Sequence, residues 1–300
     1  MAGNTGEVLK SLAVNAVIAT SKGIAAGLTG SGAMLAETLH SFADCGNQLL
    51  LLLGIRQSRK PADAKHPLGY GRLMYFWSFI VALLLFLGGG GFSIYEGIHK
   101  IQHPEKVGDI TIALVILALS IALEGWTTWG NIKLMNARRG ATGFFRYMRE
   151  TKDSDLIVVF GENSAAVLGL VLAMIFIIIS KITDDGRWDA VGSLAIGVVL
   201  VGVATFLARE VKSLLVGEGA DPVVGAVAQK LVEESPDVEK LVRILSIQQG
   251  PGEIMVAMKL KFRDGMVTKE LVAAINAFEA ELEKRAPEVK WTFIEPDDAD

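Results

Sequence analysis

The chain is poor in the residues that build disulfides and thiolate clusters. Its 300 residues include one cysteine, Cys45, which excludes an intramolecular disulfide and gives no basis for a sulfur-ligated metal cluster. Histidine is scarce as well, four in all, and none lies beyond Glu218. A basic leader is missing. Glu7 precedes the first apolar run and nothing near the end of that run resembles a cleavage site, so it reads as a retained span. Positive charge is not in excess either: the formal net charge is −4, and from Glu218 onward 17 acids face 10 bases. That leaves about −7 on the C-terminal stretch and about +3 on the rest. A tail of this sign argues against nucleic acid as a partner and suits divalent cations.

What the sequence has in quantity is apolar side chains, 51% of the residues. They fall into runs long enough to cross a bilayer core of about 30 Å at about 1.5 Å per residue. Six such runs are expected, from Leu9 to Leu28, Met34 to Ile55, Leu73 to Ile98, Ile110 to Met135, Leu156 to Ile182 and Trp188 to Leu207. Lys and Arg concentrate in the second loop (Arg56, Arg59, Lys60, Lys65, Arg72) and the fourth (Arg138, Arg139, Arg146, Arg149, Lys152), while the fifth, around Asp184 and Asp185, is acidic. Basic loops stay cytoplasmic, so both termini are expected on that side.

The spans give a transmembrane domain over residues 1–215, and residues 216–300 read as a small soluble α+β domain. There, Asp221 caps a helix that starts at Pro222 and ends before Pro236. Strand-like runs from Leu241 to Gln248 and Ile254 to Phe262 flank the turn at Gly250, Pro251 and Gly252. An amphipathic helix opening at Thr268 places Leu271, Ile275, Phe278 and Leu282 on one face, and a last strand runs from Val289 to Ile294. The order is αββαβ, a ferredoxin-like arrangement with two helices on one side of an open sheet.

Polar residues inside the spans carry the chemistry, because a charge at the bilayer centre costs about 3 kcal/mol and needs a partner, a cavity or a function. His40 and Asp44 sit four residues apart in the second span, on one helix face about one turn apart. An imidazole nitrogen and a carboxylate oxygen so placed can reach one cation at about 2 Å each. The same spacing also suits a structural hydrogen-bonded pair or a proton relay. Glu162 and Asn163 in the fifth span supply oxygen that can close a site; alternatively Glu162 is wetted near the helix end and Asn163 bonds a neighbouring helix. Asn15, Lys22, Glu96 and Glu124 are pathway groups or members of polar pairs, and Cys45, turned away from the His40 face, reads as packing. Four consecutive glycines, Gly88 to Gly91, mark the third span as either a close or mobile helix contact or a packed, kinked helix.

Taken together, the run GSGAMLAETLHSFADCGNQLLLLLG, the loop KHPLGYGR and the segment IYEGI resemble the cation diffusion facilitators. FGENSAAVLG and LLVGEGADP are similar to the branch typified by the ninth animal zinc transporter. The resemblance implies a homodimer, associating through both domains in a bacterial inner membrane, that exports zinc from the cytoplasm in exchange for protons by alternating access. It implies a transport site built on His40 and Asp44. In the fifth span, where the usual pattern has His and then Asp four residues on, this chain has Val159 and Asn163, with Glu162 as the nearby acid. Such a site is harder than usual, which opens selection of manganese or iron over zinc. His40 is the expected proton carrier, since imidazole titrates near neutral pH and must be neutral to bind metal.

The resemblance also implies a weaker loop site on Asp63 and His66, with Tyr70 in place of a third ligand, and a tail centre that, without histidine, is either absent or rebuilt from acids such as Glu295 and Asp297, which otherwise form a solvated acidic end. Two other classes compete: a metal-responsive membrane scaffold that binds without turnover, and an enzyme. No nucleophile, second histidine or cofactor motif accompanies the His40 and Asp44 pair, so the chain reads as no enzyme.

Overall fold

The structure, a computed structural model, describes residues 2–29, 32–103 and 110–298, with backbone alone over 32–40 and a few other positions. Long helices dominate its first two thirds: α1 (Ala2–Thr29), α2 (Gly32–Ser58), α3 (Leu73–Leu84), α4 (Phe92–Gln102), α5 (Thr111–Arg138), α7 (Ser154–Thr183) and α8 (Arg187–Val216). A π-helical stretch, Leu85–Gly91, joins α3 to α4 into one continuous rod, and the short α6 (Phe144–Glu150) lies between α5 and α7. Among the described residues, four helical rods are long and apolar enough to cross a membrane: Leu73–Gln102, Ala113–Arg138, Ser154–Thr183 and Arg187–Val216. α1 and α2 are long helices too, of 28 and 27 residues, with side chains described over part of their length.

Each of α1, α2, α5 and α7 turns a buried polar seam inward, where a soluble helix would place an apolar one. Ser11, Asn15 and Lys22 are buried on α1; Ser41, Asn47 and Gln48 on α2; Ser120, Glu124, Thr127 and Asn131 on α5; Asp155, Glu162 and Asn163 on α7. The spacings of three, four and seven residues keep each set on one face. α8 instead buries only apolar residues, among them Leu200, Ala204, Leu207 and Val211.

Glycine lets the α3–α4 rod lie against α8. A Cβ on Gly90 would stand 2.6 Å from Val201 Cγ2, one on Gly97 would stand 2.9 Å from the Leu194 backbone nitrogen, and one on Gly197 would stand 2.6 Å from Ile94 Cγ1. Two of the four consecutive glycines, Gly89 and Gly90, face α8 in this way, while Gly88 has open space around it. The glycine run is therefore a close helix contact, and the π-helical turn it allows sits at that contact.

Backbone packing divides the chain into two compact units, residues 1–57 with 73–212 and residues 58–72 with 213–300. The loop after α2 thus packs with the C-terminal elements. Gly71 lies against Gly250 and Glu253 so closely that a Cβ on Gly250 would meet the Gly71 Cα at 2.7 Å. The second unit contains α9 (Pro222–Glu234), β1 (Val238–Gly250), β2 (Glu253–Phe262), α10 (Thr268–Arg285) and β3 (Val289–Pro296). Asp221 caps α9, its carboxylate accepting the Val223 N–H at 2.9 Å. The sheet has the order β1-β2-β3, antiparallel between β1 and β2, parallel between β2 and β3. The parallel step requires a crossover, and α10 provides it. Ile254, Val256, Met258 and Leu260 alternate inward along β2 and meet Val224, Leu231, Phe278 and Leu282 from the two helices.

The glycine contact yields a stability test. Gly97→Val forces a branched side chain into the α8 backbone and should destabilise the protein by roughly 1–3 kcal/mol, read as a lowered midpoint of thermal unfolding in detergent. Gly88→Ala, with nothing in its way, should leave that midpoint within a degree or two or raise it. Equal effects of the two substitutions would contradict the packing described.

Candidate functional site

Within the first unit, buried hydrogen bonds tie the polar seams of α1, α2 and α7, and the seam of α5 is buried as well. Gln48 of α2 donates from Nε2 to Ser11 Oγ of α1 at 2.6 Å, and the Ser11 hydroxyl donates to Asn163 Oδ1 of α7 at 3.2 Å. This chain of donors fixes the direction of each bond: Ser11 accepts one and gives one. Lys22 donates from Nζ to Ser41 Oγ at 3.0 Å, a second tie between α1 and α2. On α5 the Thr127 hydroxyl turns back to the Glu124 carbonyl at 2.8 Å. The Ser78 and Ser154 hydroxyls stand 3.1 Å apart and join α3 to the start of α7.

Glu162 sits beside this network in a different condition. It is 92% buried, and among the described residues neither carboxylate oxygen has a hydrogen-bond donor. Asp44 of α2 and Glu124 of α5 are near enough for their charges to act on it, and the Asn47 amide is the side chain placed to give weak polar help. A buried carboxylate so surrounded has acceptor capacity and negative potential ready for a cation. Glu162 therefore lies buried next to Asp44, not at a wetted helix end. Asn163, one position on, is turned toward α1 with its oxygen held by Ser11 and its amide nitrogen without a partner. Of the two fifth-span candidates, Glu162 has oxygens to offer.

His40 falls where only the backbone is described; it is one helical turn before Asp44 on α2, and its side chain is outside the described residues. Val159, in the position where the resemblance places a histidine, is buried and apolar. The polar residues of less defined role sort differently. Glu96 pairs with Lys100 at 3.7 Å, and Lys100 reaches Asp189 of α8 at 3.0 Å, so Glu96 is a structural ion pair. Cys45 is half-buried. Glu124, Asn47, Gln48 and Ser11 belong to the site region although the motif around His40 and Asp44 does not point to them. Their signal was the repeat of polar residues at helical spacing on α1, α2 and α5. Among the described residues, no three His, Cys, Asp or Glu side chains stand close enough to hold one metal ion in this conformation.

The loop candidates are brought together, but around an internal brace. Asp63 Oδ1 accepts the backbone N–H of Lys65 at 2.9 Å and of His66 at 2.7 Å, while Oδ2 accepts the Tyr70 hydroxyl at 2.7 Å. The His66 ring packs on Tyr70 with centroids 4.2 Å apart, and its Nδ1 lies 3.6 Å from Asp63. Tyr70 thus occupies the carboxylate that a metal would need. The Tyr70 hydroxyl, followed by the backbone donors, holds the Asp63 carboxyl below its ordinary value, and the same bond pushes the Tyr70 hydroxyl up. In the C-terminal unit, Asp297 accepts from Lys259 Nζ at 2.7 Å, an ion pair rather than a ligand set.

Two measurements test these assignments. Ser11→Ala leaves the Gln48 amide and the Asn163 oxygen without their partner, and should cost roughly 1–3 kcal/mol of unfolding free energy in detergent; no loss would show that the buried network is not a stabilising one. Because the folded Asp63 value is depressed, its contribution to loop order is present above the unfolded value and disappears as pH falls through the folded one. Tyr70→Phe removes the largest cause. Protection of the Lys65 and His66 amides from hydrogen exchange should therefore be lost at a higher pH in the variant than in the parent, and coincident pH profiles would refute the brace.

Comparison with known proteins matches residues 8–216 to the family described as the cation efflux transmembrane domain. The chain is 30% identical over 293 residues to the human protein named "Proton-coupled zinc antiporter SLC30A9, mitochondrial", covering 96% of this chain and 51% of that protein. The protein of the same name from Xenopus laevis is 33% identical over 243 residues, covering 80% of this chain and 44% of its own length. Metal tolerance protein C4 of Arabidopsis thaliana is 29% identical over 242 residues, covering 80% and 53%. The chain spans about half the length of these relatives. With apolar rods, buried polar seams and a family match over most of its length, this multi-pass membrane protein belongs to the cation efflux family, the cation diffusion facilitators near the SLC30A9 branch, a family of transporters and not of enzymes.

Proposed function

We propose that the chain is a secondary transporter that exports divalent transition-metal ions, zinc foremost, from the cytoplasm in exchange for protons. The observation that carries this reading is the Glu162 carboxylate, buried, without a hydrogen-bond donor among the described residues, and within reach of the Asp44 charge of α2. In this reading His40 and Asp44 of α2 and Glu162 of α7 hold one dehydrated cation. Asn163 contributes by tethering α7 to α1 and reaches the ion only if it releases Ser11. Val159 offers no ligand, so the site has at most one imidazole and is rich in carboxylate, which suits manganese or iron(II) as well as zinc. Protons replace the cation when the site turns to the other side of the membrane, because ligands must shed protons to bind metal and regain them on release.

α1 and α2 complete six spans in this account. Their buried polar seams support this: a helix that lines an ion path faces protein and water on one side and lipid on the other. The basic loops 56–72 and 138–152 support an orientation with both termini cytoplasmic in a bacterial plasma membrane; the mitochondrial location belongs to the names of the animal relatives. Residues 1–215 would form the transport domain and 216–300 a cytoplasmic domain. A homodimer is supported by the sheet of the second unit. Leu245, Ala257 and Phe293 lie in one row across its three strands, with Leu245 and Phe293 both more than half exposed, an apolar row available to a second copy. The Asp63, His66 and Tyr70 loop has a structural role, with metal able to enter only by displacing Tyr70.

Zinc uptake by proteoliposomes of the full chain under an imposed pH gradient tests the reading. Glu162→Gln, Asp44→Asn and His40→Ala should each lower the rate by at least about tenfold while Glu96→Gln, a surface ion-pair residue, leaves it within twofold. Wild-type rates in the first three would remove the site, and metal binding without flux in the parent chain would make it a scaffold instead.

A further inference from the structure

The site region contains an acid that neither the motif around His40 and Asp44 nor the fifth-span pair includes. Glu124 projects from the middle of α5, 95% buried. Its neighbours along the helix, Ser120, Thr127 and Asn131, continue the same inward face. α5 runs along α7 in the most extensive helix–helix contact of the first unit. The Glu124 charge acts on Glu162 of α7 and on Cys45, the residue next to Asp44 of α2. Three helices thus each direct one carboxylate toward the same interior region, and the central one, Glu162, is more than nine-tenths buried with both oxygens unpartnered.

We infer that Glu124 of α5 is a specificity-determining residue of the site formed by Asp44 and Glu162, and that it extends the cargo from zinc to the harder divalent ions manganese and iron(II). The inference rests on the transport reading above and deepens it. Its chemical basis is the donor count. Zinc accepts four ligands and favours imidazole, whereas manganese and iron(II) accept six and gain more from each added carboxylate oxygen. Val159 has removed one imidazole from the α7 face, and an acid on a neighbouring helix compensates in charge while changing the chemistry from nitrogen to oxygen. In the ion-free arrangement the three carboxylates do not share a coordination sphere. A cation between them neutralises their mutual repulsion, and the carboxylates close on it by side-chain rotation, Glu124 leaving its long contact of 3.5 Å with the Thr127 hydroxyl.

The test compares uptake of zinc and manganese, in parallel, by proteoliposomes of the full chain and of Glu124→Gln, Glu124→Asp, Asp44→Asn and Glu162→Gln variants, with retention of the folded state checked by gel filtration. The parent carries both ions. Glu124→Gln is expected to lower the manganese rate at least about tenfold relative to the zinc rate, and Glu124→Asp, which keeps the charge, to restore most of the ratio. Loss of both ions to the same extent in Glu124→Gln, an unchanged ratio, or a parent that carries zinc alone would each overturn the inference. Failure of the underlying reading has a different signature: Asp44→Asn and Glu162→Gln would then transport both ions at the parent rate.

Discussion

An ionised carboxylate taken from water into a helix bundle loses solvation worth several kcal/mol, and among the described residues none donates a hydrogen bond to the Glu162 oxygens to replace it. The rest of the first unit is organised around that cost. Glu162 is held on a helix whose lipid-facing half, with Leu168, Ile175 and Ile178 exposed, is anchored by apolar surface. Its immediate neighbours on α2 and α5 add further negative potential rather than relieving it. An interior that concentrates acid in this way is poised for a cation, and a group whose charge is tolerated only with a counter-ion couples the state of the site to what occupies it.

Two kinds of helix contact divide the work of the bundle. The α3–α4 rod and α8 touch backbone to backbone through Gly90, Gly97 and Gly197, a contact that leaves side chains there no room for rearrangement and that the Lys100–Asp189 ion pair supplements. The α1, α2 and α7 seams are joined instead by discrete hydrogen bonds, Gln48 to Ser11 to Asn163 and Lys22 to Ser41. Hydrogen bonds between side chains can exchange partners at small cost, whereas a glycine contact cannot slide without opening a void. The polar half is therefore the part suited to two arrangements, and the glycine-packed half is suited to be a frame.

The loop after α2 brings another constraint. It belongs by packing to the second unit, secured where Gly71 meets Gly250 and Glu253, and Asp63 closes it internally with three donors. α2 thus carries the Asp44 site at its middle and continues directly into a segment ordered with the C-terminal sheet. The carboxylate that resembles a metal ligand by its position in the sequence serves here as the bracket of a turn, because Tyr70 has taken the oxygen a cation would use.

The sequence alone determined the order of the long helices, the capped start of α9 at Asp221 and Pro222, and the alternation of β2. All of these follow from local periodicity, which depends on residues within one or two turns. It named Glu162 and Asn163 as alternatives but left open which of them offers its oxygens, and it showed Glu124 only as one polar residue among several. Those questions depend on which helix faces which, and that is settled by contacts between residues more than a hundred positions apart, such as Ser11 with Asn163. Only the tertiary structure decided that Asn163 is occupied by a neighbouring hydroxyl, that Glu162 is buried with its oxygens unused, and that the glycine run is a contact with α8. The physical reason is that hydrogen-bond satisfaction and charge proximity are properties of a three-dimensional neighbourhood, and helical spacing fixes only the side of the helix from which a residue looks into it.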